Sequence, residues 1–431
     1  MSIFKNSKIK SIKAREILDS RAIPTIEVEL AVGNFFVCAS VPSGASRGKY
    51  EAKEVRDRGK RYRGKGVLKA VENINKIIGP FLKGKDVRKQ KEIDYLMIEL
   101  DGTRDKSKLG ANAILAVSIA ICRAGAKVKN LPLYHYIAKL RKGRNLTSSH
   151  TGRGQTSSSV NFNLPVPCFN IINGGVHSGS QLDIQEFMII PRKKSFSKNL
   201  QVASEIYYSL KEILKENLGA FSTNIGDEGG FVPSIFGTQS ALGLLIKAIE
   251  TTGYKSTKIG LDCAASQFAK NNTYVLEKTP FTRQGLLAFY CDLVKNYPIV
   301  FLEDPFSEND WQGFQEITKK IGRKLVIIGD DLLCTNPERI RKAQEKRACN
   351  GMVLKPNQIG TISEVLEAVE LAKSYGWKIM VSHRSGDTCD DFISDLAVGI
   401  GADFIKAGAP ARGERVVKYN RLLKIEQEIL K

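Results

Sequence analysis

A chain of 431 residues is long for one hydrophobic core, so two domains are expected. Its 42% apolar and 26% charged residues, without a dominant low-complexity tract, exclude a disordered or fibrous chain and describe a soluble globular protein. The formal net charge of +21 is uneven: Lys+Arg against Asp+Glu is 33 against 14 over residues 1–160, which places +19 of it there.

The first residues, Met1 to Lys8, lack the apolar core of about 7–15 residues that a signal peptide needs. Eight cysteines, scattered without a CxxC pair, fit reduced thiols in a cytosol. A cytoplasmic location is expected, with a secondary surface or secreted one left open. Residues 25–30 and 34–39 read as strands, and 67–82, 87–100 and 112–126 as helices. Strands followed by helices predict an N-terminal α+β domain over 1–140. The apolar stretch 111–126 is interrupted by Asn112, Ser118 and Arg123 and is too short for a bilayer, so no membrane span is expected. The basic excess has two readings: a lysine-rich solvated surface, or a face that attracts polyanions or nucleic acid. No aromatic-interleaved basic motif accompanies it.

Residues 141–163 are polar and rich in Ser, Thr and Gly, which predicts a linker or insert. Residues 166–172 and 184–190 come next, separated by a turn too short for a crossover helix, so this pair is predicted antiparallel. Helices are expected over 199–218 and 240–251. Six short apolar runs then end at Asp262, Glu303, Asp330, Lys355, His383-Arg384 and Lys406, spaced 23 to 41 residues apart with helix-like stretches such as 361–373 between them. That is the rhythm of a (β/α) barrel, whose chemistry sits at the C-terminal strand ends. The barrel is predicted over 164–431.

The residues at these ends suggest what the site does. A single Asp after a strand is usually a helix cap, but Asp262, Glu303 and Asp330 together would repel one another and supply hard oxygen ligands for a divalent cation such as Mg²⁺. Lys355 and Lys406 end apolar runs, where desolvation and a neighbouring cation would lower a lysine pKa and make a usable base; capping a helix carbonyl or pairing with Asp304 or Asp331 is the alternative. Ser382-His383-Arg384-Ser385-Gly386-Asp387 offers a bidentate cation, a hydroxyl and a turn suited to phosphate or carboxylate. Gly226-Asp227-Glu228-Gly229-Gly230 and Gly174-Gly175-Val176-His177, with Gln185-Glu186, bring glycine-flanked polar groups on loops above the same rim.

Taken in order, these motifs resemble the enolase family. The resemblance runs from Ala14-Arg15-Glu16 through Asp19-Ser20-Arg21, Ser43-Gly44-Ala45-Ser46, Lys108-Leu109-Gly110-Ala111-Asn112, Asn173-Gly174-Gly175, Gly226–Gly230, Asp262, Glu303-Asp304-Pro305, Asp330-Asp331, Asn357-Gln358, Ser382–Gly386 and Lys418-Tyr419-Asn420. It implies an α/β chain: an N-terminal α+β capping domain, then an enolase-type (β/α)8 barrel with an irregular antiparallel start. It also implies reversible loss of water from 2-phosphoglycerate to give phosphoenolpyruvate, with two Mg²⁺ ions per site and a homodimer or higher homo-oligomer. By motif, Asp262, Glu303 and Asp330 would be ligands of the first metal and Ser46 of the second. Lys355 would be the base at C2 and Glu228, supported by Glu186, the acid at the C3 hydroxyl. Arg384 and Ser385 would bind phosphate, Lys406 the substrate carboxylate, and His177 and His383 the closing loops. Arg47, Ala22-Ile23, Pro356, Asp387, Ala407 and Gln267 depart from the usual family residues, and none removes a catalytic group. A sugar-acid dehydratase of the same superfamily and a slow or inactive paralogue acting as a binding protein through its basic face are the competing readings.

Overall fold

The computed structural model describes residues 7–44, 48–142, 162–175, 178, 180–270 and 273–431. Ser46, Arg47 and His177 lie outside them, as do 143–161 of the predicted linker. Arg141, assigned to that linker, still belongs to the helix Leu133–Lys142 and pairs with Glu370.

The N-terminal part opens with three antiparallel strands, β1 (Ile9–Leu18), β2 (Pro24–Val32) and β3 (Phe35–Ser40), in that order. Central β2 buries Ile26, Val28, Leu30 and Val32 on one face, the period-2 pattern of a half-covered strand. The turn into β3 uses Gly33 at φ 54°. Only two strands were expected. β1 was missed because it is an edge strand in which Ile9 and Ile12 are buried while Lys10 and Lys13 face out, and a register shift between Ile9 and Ser11 breaks its alternation. The helix Ala111–Val128 packs on β2 and β3. At 18 residues it is longer than the 111–126 stretch read from the sequence and, by length and composition, apolar enough to cross a membrane, but 89% of it is buried inside the protein, so it serves as a core helix.

The second part is a closed barrel. Its strands are β4 (Val166–Asn173), β5 (Glu186–Ile190) and β6 (Lys258–Asp262). A small antiparallel sheet of β7 (Ala269–Lys270), β8 (Thr273–Leu276) and β9 (Thr279–Phe281) then intervenes, and no run in the sequence had suggested it. The barrel resumes with β10 (Ile299–Glu303), β11 (Val326–Gly329), β12 (Gly351–Leu354), β13 (Lys378–Ser382) and β14 (Phe404–Lys406), which pairs back to β4. β5 runs antiparallel to β4, as predicted, and also to β6, which was not expected; the other neighbours are parallel. The lumen is filled by Cys168, Met188, Ile190, Phe301, Ile328, Val353, Met380 and Phe404, so it is a packed core. Gly260 makes room for Phe301, whose ring would stand 2.1 Å from a Cβ there.

Helices wrap the barrel. Ile362–Ser374 shows how the two parts are tied: Ser363 N–H donates to Asp94 Oδ2 at 2.9 Å, Ile362 N–H to Ser118 Oγ at 3.0 Å, and Ser118 Oγ to Asp94 Oδ1 at 2.7 Å. The N-terminal part therefore supplies the anionic cap of a barrel helix, satisfying amides that the helix itself cannot.

Candidate active site

Parallel register puts Asp262 and Glu303 side by side at the ends of β6 and β10, and Asp330 directly after β11. Because β5 is reversed, its first residue reaches the same rim: Glu186 is in register with Asp262. A rule that looks for chemistry only at strand C-termini would pass over Glu186; its place with Gln185 beside the glycine-rich loop is what points to it, and the family resemblance adds its role. One cavity is lined by Glu186, Glu228, Asp262, Asp330, Lys355, His383, Arg384, Ser385 and Lys406, and Glu303 stands against Lys406 beneath it. Every described residue of the predicted site is thus brought together.

Lys406 is the hub of the acidic side. Its Nζ lies 2.8 Å from each Glu303 oxygen, 3.2 Å from Asp262 Oδ2 and 3.3 Å from Glu186 Oε1. Burial alone would lower this ammonium's pKa, but Glu186, Glu303 and Asp262 hold it well above the usual lysine value. Burial, with Asp262 close by, pushes Glu303 well above the carboxylate range; burial and Glu228 do the same to Glu186. Gln185 Nε2 donates to Asp262 Oδ2 at 3.1 Å, and Gln267 donates to Gln185.

Lys355 pairs with Asp330, and neither Asp304 nor Asp331 is its partner. Burial is the largest influence on the Lys355 pKa and pulls it down, yet the net direction is upward because its acidic neighbours, Asp330 first and Glu303 with it, together outweigh burial, Arg384 and Lys406. The expected lowering is therefore not produced by these side chains while Asp330 is committed to the lysine. Asp304, at φ 40°, turns its carboxylate onto the backbone N–H groups of Asp330 and Asp331 at 2.9 and 2.7 Å. A non-glycine residue held in the left-handed region is strained, and here the two hydrogen bonds both hold that backbone and fix the Asp330 turn.

The opposite wall carries Glu228. Its Oε2 accepts from Asn170 Nδ2 at 2.9 Å, and its Oε1 lies 3.6 Å from His383 Nε2. The His383 tautomer is set by Arg415, whose guanidinium stands 2.7 Å from Nδ1: an arginine only donates, so Nδ1 accepts and Nε2 carries the proton toward Glu228. Burial lowers the His383 pKa to about 4, keeping the ring neutral. Arg415 also donates to the carbonyls of Arg384, Ser385 and Asp227 at 2.7, 2.6 and 3.0 Å. Sequence reasoning missed Arg415, which lies on the C-terminal helix Gly413–Ile429 one turn before the Lys418-Tyr419-Asn420 motif. Arg384 is gripped by Glu51, and Ser385 Oγ accepts from Arg21 at 3.3 Å.

The donor set suits a hard cation. Glu186, Asp262, Glu303, Asp304, Asp330 and Asp331 crowd one buried rim against Lys355, Lys406 and Arg384, and Glu186 Oε2 is a buried oxygen with no partner among the described residues. A divalent ion would offset that excess through oxygen ligands. Glu186, Glu228 and His383 also place ligand atoms within 4.8 Å of one another. That trio is the poorer site, because the nitrogen His383 turns to it carries the proton.

Comparison with known proteins agrees with this geometry. The family model for the C-terminal TIM barrel domain of enolase matches residues 161–431, and that for the enolase N-terminal domain matches residues 9–137. Enolase B of Dictyostelium discoideum is 51% identical over 98% of this chain and 95% of its own length. Enolase of Mastigamoeba balamuthi is 50% identical, and enolase 1 of Entamoeba histolytica 49%, each over 98% of this chain and 96% of its own. Two family models that together span most of the chain, and relatives of this similarity over nearly its whole length, establish that the chain belongs to the enolase family.

Proposed function

We propose that this chain is an active enolase, a lyase of glycolysis and gluconeogenesis that reversibly removes water from 2-phospho-D-glycerate to give phosphoenolpyruvate. The observation that carries the reading is one buried rim on which Lys355 and Glu228 face a shared cavity together with Lys406, Arg384 and the acidic strand ends. Asp262, Glu303 and Asp330 would hold the first of two Mg²⁺ ions and Ser46 the second; bound there, they would supply positive charge for the substrate carboxylate as the C2 proton leaves.

The side chains divide the remaining work. Arg384 and Ser385 bind the phosphate and Lys406 the carboxylate, which fixes C2 and C3 in the cavity. Lys355 accepts the C2 proton on Nζ. The electrons of that bond pass first into the carboxylate; they then return to form the C2–C3 double bond as the C3–O bond breaks, and Glu228, supported by Glu186, gives the departing hydroxyl a proton so that it leaves as water. Asn170 and the His383 N–H orient Glu228, and His177 and His383 meet the closing loops. A cytoplasmic homodimer is the form proposed. The same catalytic groups argue against the reading as an inactive paralogue. The test is growth of phosphoenolpyruvate absorbance from 2-phosphoglycerate, with Mg²⁺ and then with excess chelator; turnover only with the metal supports the proposal.

A further inference from the structure

The buried guanidinium of Arg384 is not held by the barrel alone. Glu51, from the N-terminal part, grips it with both oxygens: Nη1 donates to Oε2 at 3.0 Å and Nη2 to Oε1 at 3.2 Å. Both side chains are buried, and Asn357 Oδ1 accepts from the same Nη1 at 3.1 Å. A fork seated on a single carboxylate has one plane and one orientation, which a lysine or a rotating arginine would not.

Glu51 reaches further. Its Oε1 accepts from Gly48 N–H at 3.1 Å and from Gln358 Nε2 at 3.4 Å. Gln358 Nε2 also donates to Asp330 Oδ1 at 2.9 Å, its Oε1 accepts from Thr335 at 2.7 Å, and Thr335 Oγ1 accepts from the Lys355 backbone N–H at 3.1 Å. One short chain of hydrogen bonds therefore joins the Arg384 guanidinium, the Asp330 carboxylate and the backbone of Lys355, and it runs through a residue outside the barrel.

We infer that Glu51 is a positioning residue for the reaction: it sets the Arg384 fork for the substrate phosphate and ties that fork to the chain that carries Lys355. This deepens the proposed function and rests on Arg384 being the phosphate ligand. Glu51 contacts no reacting atom in this role. Its effect passes through Arg384, so it belongs to phosphate recognition, and removing it should weaken ligands that carry a phosphoryl group without disturbing the metal.

The test uses the full-length enzyme with Mg²⁺ and compares Glu51→Gln and Glu51→Asp with the parent, each also in an Arg384→Lys background. Inorganic phosphate is the equilibrium probe, by calorimetry, beside KM and kcat for 2-phosphoglycerate and the Mg²⁺ concentration for half-activation. Glu51→Gln is isosteric but replaces one gripping oxygen with a donor, so phosphate affinity and KM should both worsen at least about tenfold while kcat changes less than about threefold. Half-activation by Mg²⁺ should stay within about twofold, Glu51→Asp should recover much of the phosphate affinity, and in Arg384→Lys the Glu51→Gln change should cost little more. Unchanged phosphate affinity in Glu51→Gln, or an equal loss in the Arg384→Lys background, would overturn the inference. Phosphate binding is read without turnover, so a parent enzyme that binds phosphate through Glu51 and Arg384 yet forms no phosphoenolpyruvate would contradict the proposed function and leave the positioning role standing.

Discussion

Lys406 Nζ lies 2.8 Å from both carboxylate oxygens of Glu303, with Glu303 itself wholly buried. A lysine at the end of β14 thereby stabilises an acid at the end of β10 across the barrel mouth. Isolated, either charge would be costly at that depth; paired, they leave a surplus of carboxylate for a cation to take up.

That surplus predicts a strict metal requirement. Glu303→Ala or Asp262→Ala should lower turnover by at least about a hundredfold. Lys406 keeps two of its three acidic partners in either variant, so the circular dichroism melt should stay cooperative. Full activity in excess chelator would sink the metal assignment.

Asp94 predicts an inverted pH dependence of stability. Burial raises its pKa to about 6 from an ordinary value of 3.8. A carboxyl whose folded pKa is raised favours the folded state below its unfolded pKa, and that contribution is lost as pH climbs through 6. Between pH 5 and 7.5 the parent should therefore lose about 1.4 kcal/mol of unfolding free energy relative to Asp94→Asn. Chemical denaturation of both proteins at the two pH values measures this; equal changes would contradict it.

The uneven charge gives a third prediction. If the +19 over residues 1–160 forms a face for polyanions, heparin retention at low ionic strength should exceed that of an acidic enolase and fall steeply with salt, because the binding rests on counterion release. Equal retention would reduce the charge to composition.

Much of this architecture was legible in the sequence because parallel strands buried on both faces leave short apolar runs, and the residues that close those runs, Asp262, Glu303, Asp330, Lys355 and Lys406, meet at one rim of the barrel. What was not legible depends on contacts distant along the chain. Glu51 and Arg384 are far apart in sequence, and nothing local to either announces the pair. Arg415 sits within an ordinary helix pattern and acts only through the His383 nitrogen and the carbonyls it meets. The upward shift of Lys355 was hidden for the same reason: burial can be read from an apolar run, but the identity of the partner, Asp330, decides the sign. β1 was missed because an edge strand buries few side chains and leaves its charged ones in solvent.

The division of labour between Lys355 and Glu228 is the centre of the mechanism, and entry of solvent deuterium at C2 of 2-phosphoglycerate, monitored by NMR, tests it most directly. Glu228→Gln keeps its size but cannot give a proton, so it should form no phosphoenolpyruvate while still exchanging the C2 proton. Lys355→Ala should do neither. Exchange retained in Lys355→Ala would contradict the mechanism, as would exchange in Glu228→Gln falling to the level of Lys355→Ala.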